Sequence, residues 1–498
     1  MAHTIADLMG RVEVSFGNGG LRAPADQLSD AVVYAFVRAF LDHLRRAGHM
    51  RHARNVLVAG DLRPTTGRMM RAVAAAIADF GSFPLNAGRI PAPALAHYAM
   101  REQMPGILVT GSHLPAGHNG LKFFRSDGEA GRSDESAIRQ EAVVLPSERF
   151  DAEAEMQGGI PLGGVNHDIG YAFDERLLTF FPDQELKGWR IGVLEQSTTA
   201  REHLVRLLEL MGATVIRLGR SEKFLALDTE SLPAGLEQAA PKWVAKNRLD
   251  ALVSADADGD RPLMTDHEGR WLRGDAIGML AARYLGADSV VTPHTSTSAV
   301  ESSGWFGSVY RTRVASPDLI HGLVQAAAEG RDRTVVGFAA HGGLITGHAL
   351  HRGQYELPPL PSRDGLLPIF AILHQAAERH CAIHELVDEM PPRFTDSLRL
   401  DGFGDELVSN AIRDFKNQGD QARLQLTAAL NLDSTIRRIT TRDGIRGEVE
   451  NGDVIHLRPS GNTRSLRVYV EAGSREAARA LRDHVAAAIR ANWDESPG

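Results

Sequence analysis

Short, almost continuously apolar runs alternate along the chain with longer stretches of helical period. The runs fall at 55–60, 106–110, 190–194, 213–218, 250–254, 289–292 and 334–338. Few polar positions interrupt them, as expected of strands covered on both faces. Helical periodicity occupies 26–47, 66–80, 198–211 and 318–329 between the runs. This alternation predicts a layered α/β fold with much parallel pairing. The helix at 66–80 has Thr65 or Thr66 available as N-cap and Gly81 just past its end. The last hundred residues differ: a helix-like stretch at 403–416, strand-like pieces at 453–457 and 465–471, then a long Ala- and Arg-rich helix at 474–493. That region reads as a separate α+β unit. Segments 125–165, 351–366 and 387–396 read as linkers or joints. No fixed-period repeat is visible at the residue level, yet polar residues repeatedly follow the strands, where open α/β sheets bind ligands.

Composition narrows the classes. The 498 residues suggest about three domains, or four small ones. A 43% hydrophobic, 24% charged chain is ordinary globular material. Its single cysteine, Cys381, excludes an internal disulfide and a Cys-rich metal site, and reads as a small core residue in a helix. A net charge of −8 without basic runs argues against a nucleic-acid partner. No stretch of about 18 residues is apolar enough to span a membrane, and the N-terminus lacks a secretion signal. A cytoplasmic protein, monomeric or homodimeric, is expected.

Three constellations carry chemistry. Thr110-Gly111-Ser112-His113-Leu114-Pro115, followed by Asn119-Gly120-Leu121-Lys122, reads as a turn-rich loop. It suits a phosphorylated serine surrounded by N–H donors and a lysine; spacing alone allows an ordinary polar turn. The Gly-x-Ser-x-Gly elbow of hydrolases is absent. In Asp256-Ala257-Asp258-Gly259-Asp260-Arg261 the acids recur at every second residue. An extended segment would put all three on one side, where they repel unless a hard cation joins them. The EF-hand pattern fails at Arg261 and His267, and Arg261 is placed to neutralise a phosphate. Arg458-Pro459-Ser460-Gly461-Asn462, with Arg467 beyond, gathers donors for a second phosphate.

Together these motifs resemble the α-D-phosphohexomutase superfamily, nearest its phosphomannomutase/phosphoglucomutase group. Phe16-Gly17-Asn18-Gly19-Gly20-Leu21-Arg22, Gly60-Asp61-Leu62-Arg63-Pro64-Thr65 and Arg311-Thr312-Arg313-Val314 fit as well, in the expected order. The resemblance implies three related α/β domains and a C-terminal α+β domain like the TATA-binding protein, around a central cleft, at 1–160, 161–265, 266–380 and 381–498. It implies phosphoryl transfer between O6 and O1 of a hexose phosphate through phospho-Ser112 and a bisphosphate. Mg²⁺ would lie between Ser112, Asp256, Asp258 and Asp260. Lys122 and Arg22 would stabilise charge or shuttle protons, unless Arg22 is a plain salt-bridge partner. A protonated His113 would support the loop. Arg458, Ser460, Gly461, Asn462 and Arg467 would hold the distal phosphate.

Mannose phosphate is the expected substrate, with glucose phosphate or an unusual sugar phosphate as the alternative. A non-catalytic sugar-phosphate-binding relative is the further one. The alternatives arise at the sugar-recognition loop, Gly-Glu-x-Ser-Gly-His in the family and Gly-Tyr-Glu-Ala-Asn-Gly-Gly in a subgroup. Here it is Gly337-Phe338-Ala339-Ala340-His341-Gly342-Gly343. Ala339 stands where a glutamate would accept sugar hydroxyls, and His341 either takes over a hydroxyl contact or faces water. Phe338, Ala339 and His341 are the substrate-binding candidates there. Gly111 and Leu114, where Ala and Asn are usual, bring loop flexibility and one hydrogen bond into question.

Overall fold

A computed structural model describes residues 2–493 except 18, 51–53, 159, 182–183, 222, 331–332, 404–405 and 460–464. All seven apolar runs form strands. Three of its sheets follow one plan. In the first, Asn55–Gly60 pairs in parallel with Phe83–Gly88 on one side and Gly106–Val109 on the other. His118–Arg125 then runs antiparallel beside Gly106–Val109. In the second, Arg190–Leu194 lies between Thr214–Leu218 and Ala251–Ala255, and Pro262–Met264 returns antiparallel. In the third, Ser289–Pro293 lies between Ser308–Thr312 and Val335–Phe338, and Leu344–Thr346 returns antiparallel. The repeat that residue spacing hides is therefore topological.

The C-terminal unit is a five-stranded antiparallel sheet. Its strand order is Phe394–Asp401, Ser465–Ala472, Val454–Pro459, Ile445–Val449 and Ile436–Thr440. Helix Arg475–Trp493 packs on it. It has its own core around Leu457, Val468, Val485 and Ile489. By contrast, one apolar cluster runs unbroken through the three parallel-centred sheets, from Leu57 and Phe173 through Val253 to Val290 and Phe370.

Several expectations need correction. The segments read as linkers carry structure: helix Arg132–Gln140 lies within 125–165, and strand Leu360–Asp364 within 351–366. At 387–396, helix Ile383–Asp388 ends and strand Phe394–Asp401 begins. Short polar elements pinned by other units lack the apolar periodicity that announces them. Helix Thr66–Asp79 starts after Thr65, but neither threonine caps it through its side chain. Thr66 Oγ1 instead donates to Asp61 Oδ1 at 2.7 Å. Cys381 is half-buried in the turn between helices Leu366–Glu378 and Ile383–Asp388, not within either. Phe338 belongs to the core: it is fully buried at the end of its strand, against helix Gly274–Tyr284. No helix among the described residues is long and apolar enough to cross a membrane.

The Phe338 contact explains a glycine. A Cβ on Gly278 would lie 2.6 Å from the Phe338 ring, closer than packed carbons approach. Overpacking at such sites costs about 1–3 kcal/mol. Gly278→Ala is expected to lower the midpoint of thermal unfolding by several degrees; an unchanged midpoint would show that the helix shifts without penalty.

Candidate active site

The serine loop leaves strand Gly106–Val109 and rests on a buried acid–arginine pair. Asp61 accepts from Thr110 Oγ1 at 2.9 Å and from the Gly111 N–H at 3.2 Å, and pairs with Arg63 Nε at 3.1 Å. Arg63 in turn donates to the carbonyls of Ser112 (2.8 Å), Pro115 (2.6 Å) and His118 (2.7 Å). One guanidinium thus fixes the loop's whole course. A Cβ at Gly111 would sit 2.6 Å from Arg63 Cζ, so Gly111 provides space for the arginine rather than flexibility. Leu114 is buried, its N–H bonded to the Gly111 carbonyl at 3.1 Å. Ser112 has a φ of 49°, a left-handed conformation uncommon for a residue with a side chain. Such strain persists where surroundings over-determine it, often at functional positions.

The acidic loop leaves strand Ala251–Ala255. Its carboxylates converge through a turn and not through extended alternation: the Gly259 N–H bonds the Asp256 carbonyl at 3.1 Å, and Gly259 has a φ of 69°. Asp256, Asp258 and Asp260 are fully buried, with oxygens within 4.8 Å of one another. Ser112 Oγ donates to Asp256 Oδ2 at 2.9 Å across 144 residues of sequence. Lys122 sits on strand His118–Arg125 and not in a loop, because the Asn119-Gly120 pair lies inside the strand. Its ammonium pairs with Asp258 at 2.7 Å and with Asp260. Arg363 pairs with Asp260 at 2.8 Å, and Arg261 Nε lies 3.8 Å from Asp256 and 3.7 Å from Asp260.

Electrostatics divides the acids. Burial, aided by repulsion from Asp258 and Asp260, pushes Asp256 well above the usual carboxylate range. Burial alone would raise Asp260 too, but Arg363, Lys122 and Arg261 outweigh it and hold its pKa low. Burial would lower Lys122; Asp258 and Asp260 outweigh that, so it remains an ammonium. Asp258 Oδ1 and Asp260 Oδ1 are buried without a hydrogen bond, and Asp258 Oδ2 has the Lys122 ammonium. Buried carboxylate oxygens left without a donor and gathered this closely fit a hard divalent cation.

Above the cluster lies a cavity of about 50 Å³ lined by His113, Glu230, Arg261, His341, Arg363, Arg458, Arg467 and Tyr469, among others. His341 is buried here and does not face water. Its Nδ1 accepts the Gly343 N–H at 3.2 Å, and Arg363 Nη1 lies 3.4 Å from Nε2. Burial, reinforced by Arg261, holds both His113 and His341 well below the usual imidazole pKa. His113 is thus neutral, contrary to the expected imidazolium. Arg22, pushed down to about 10 by burial, donates to the carbonyls of Leu21 (2.8 Å) and Gly19 (3.0 Å) instead of forming a plain salt bridge.

Arg458 pairs with Asp443 at 3.0 Å and Arg467 with Asp228. Ser460, Gly461 and Asn462 lie outside the described residues. Phe338 and Ala339 do not line the cavity. Sequence reasoning missed Arg363, which sits in the proline-rich segment read as a linker, and Asp228 and Glu230, which belong to no motif. Arg63 lies in a segment that matches the family, but nothing in its local pattern assigns it a role.

The phosphoglucomutase/phosphomannomutase alpha/beta/alpha domain I pattern matches residues 13–144, and that family's C-terminal domain matches 412–488. A phosphomannomutase of Sinorhizobium fredii (strain NBRC 101917 / NGR234) is 37% identical over 469 residues, covering 94% of this chain and 96% of its own. A phosphoglucomutase/phosphomannomutase family protein of Burkholderia thailandensis superposes with a TM-score of 0.68 at 18% identity, covering 97% of this chain and 98% of its own. Aspergillus fumigatus N-acetylphosphoglucosamine mutase, solved with GlcNAc-6P and magnesium, superposes with a TM-score of 0.55 at 16% identity, covering 98% of each chain. The chain belongs to the phosphoglucomutase/phosphomannomutase family. It is a phosphohexomutase, an enzyme of the isomerase class with the four-domain architecture of its relatives.

Arg63 touches the serine loop's backbone and not the cavity. Arg63→Lys keeps the charge but loses the planar fork that reaches several carbonyls at once. It is expected to lower kcat roughly 10²-fold, as misplacement of a reacting group by an ångström does. Steady-state kinetics should show KM changing much less; an equal rise in KM would mean that the loop binds substrate directly.

Proposed function

We propose that the chain is a phosphomannomutase interconverting mannose 6-phosphate and mannose 1-phosphate through phospho-Ser112 and a bound hexose bisphosphate. The observation that carries this reading is the 2.9 Å contact of Ser112 with Asp256, inside a buried triad that also engages Lys122. On the forward step the Oγ–P bond of Ser112 breaks, a P–O bond to the sugar hydroxyl oxygen forms, and the hydroxyl's proton ends on Ser112 Oγ. After the sugar turns over, Ser112 Oγ takes the other phosphoryl group and its proton ends on the sugar oxygen that the group leaves, so the cycle balances. Lys122, held as an ammonium, spreads charge on the transferring group. Mg²⁺ held by Asp256, Asp258, Asp260 and phospho-Ser112 would supply Lewis-acid stabilisation there. Arg261, with Nε and Nη1 buried and unbonded, faces the same region, and Arg458 and Arg467 line the cavity where the distal phosphate would lie. Magnesium and a sugar phosphate in one structural neighbour support the same assignment.

A coupled assay on mannose 1-phosphate and glucose 1-phosphate, with Mg²⁺ and a hexose 1,6-bisphosphate primer, tests the reading. Turnover is expected to vanish on chelation and return with Mg²⁺; no turnover on either sugar would overturn it. Intact mass should show a species one phosphate heavier, absent in Ser112→Ala. That variant should lose roughly 10³-fold or more in kcat, the scale of losing a nucleophile. A second reading, a mutase for glucose phosphate or an unusual sugar phosphate, is favoured by Ala339. Ala339→Glu should then raise activity on mannose or glucose phosphates. Unchanged activity would show that position 339 does not set specificity.

A further inference from the structure

The cavity is rich in donors and poor in acceptors. Arg261, Arg363, Arg458 and Arg467 all line it. A neutral imidazole has one lone pair; His341 Nδ1 accepts the Gly343 N–H and Nε2 lies 3.4 Å from Arg363 Nη1, so the ring leaves no free lone pair for a ligand. Such a lining suits phosphate oxygens. A hexose also brings hydroxyl protons, and each needs an acceptor once the cleft has excluded water. Ala339 offers no side-chain acceptor, and its carbonyl is engaged by the Gly342 N–H at 2.8 Å. Among the described lining residues, Glu230 is the one carboxylate.

Glu230 is also held in place. It lies in the segment between strand Thr214–Leu218 and helix Ala234–Asn247. The Glu230 carbonyl accepts from Ser397 Oγ at 2.7 Å and Arg273 Nη1 at 3.2 Å, and its N–H donates to Asp228 Oδ1 at 3.1 Å. Tyr469 donates to Glu230 Oε2 at 3.0 Å, while Oε1 stands 3.7 Å from Arg261 Nη1, beyond hydrogen-bond distance. Earlier in the same segment, Phe224 stacks under the Arg63 guanidinium at 4.5 Å. The carboxylate is thus fixed relative to the serine loop, the third sheet's first helix and the C-terminal sheet. A carboxylate repels phosphate, so the ring hydroxyls and not the phosphate must turn toward it.

Resting on the phosphohexomutase reading, we propose that Glu230 is a specificity-determining residue that accepts a ring hydroxyl of the hexose phosphate, the role for which position 339 has no side chain. The test measures kcat and KM for wild type and Glu230→Gln on mannose 1-phosphate, glucose 1-phosphate and the 3-deoxy and 4-deoxy forms of the preferred sugar. A hydrogen bond to a charged group predicts a loss of about 10- to 100-fold in kcat/KM on the parent sugar. On the analogue lacking the accepted hydroxyl, wild type and variant should agree within about twofold. An equal loss on the parent and both analogues would make Glu230 merely structural and overturn the proposal, as would no loss on the parent. Glu230→Asp, which keeps the charge but withdraws the oxygens by one methylene, is read by the same criteria should the glutamine variant fail to fold. If wild type turns over neither sugar, the phosphohexomutase reading falls and takes this one with it. If wild type is active and the analogue pattern is missing, the Glu230 assignment alone fails.

Discussion

The structure turns on the compensation of buried charge. Three carboxylates sit together out of water, an arrangement that isolated acids would escape by protonation. Lys122 and Arg363 reach them directly from the first and third sheets, and Arg261, next to Asp260 in the same loop, stands just beyond hydrogen-bond distance. Only when the first three sheets are assembled do Lys122 and Arg363 meet these anions. The cluster is therefore both a site and a check on correct assembly. A phosphoryl group on Ser112 would bring a charge near −2, and a divalent cation held by the carboxylates would offset it.

The three parallel-centred sheets solve the positioning problem in the same way three times. Each puts the first of its three parallel strands in the centre, the second on one flank and the third on the other, then turns back antiparallel. The turn from the third strand carries Ser112 in the first sheet, the aspartates in the second and His341 in the third. One topological position thus carries the strained serine, the buried acidic triad and the buried cavity histidine. The carboxyl end of a parallel strand is where side chains escape the covering helices, so chemistry can vary there while the layers stay packed.

The fourth unit is joined by different forces. An apolar cluster runs through the first three sheets, whereas the contacts of the C-terminal unit around the cleft are polar. They include Arg467 with Asp228, Tyr469 with Glu230, Arg458 with the Val314 carbonyl, and Thr395 with Asp275. Polar interfaces exchange readily with water and permit relative motion, while a continuous hydrophobic core does not. At about 50 Å³ the cavity is far below the roughly 300–1,000 Å³ of ligand pockets. Admitting a sugar phosphate therefore requires the cleft to widen, and Asp443 and Asp228 here hold Arg458 and Arg467.

The layered fold, the apolar strands and the residues Ser112, Lys122, Asp256, Asp258 and Asp260 were legible in the linear chain, because buried strands and clustered charges leave local signatures. The reasons were less so. The acids converge through a turn at Gly259 and not by alternation, and Lys122 stands on a strand where a loop was expected. Gly111 makes room for an arginine 48 residues earlier, which no local pattern reveals. What tertiary structure alone decided was company: Arg363 beside Asp260, Glu230 beneath Tyr469, Phe338 turned into the core. Chemical identity is local to a residue and survives in sequence, but the partner that gives a buried charge or an acceptor its meaning is fixed by packing across hundreds of positions.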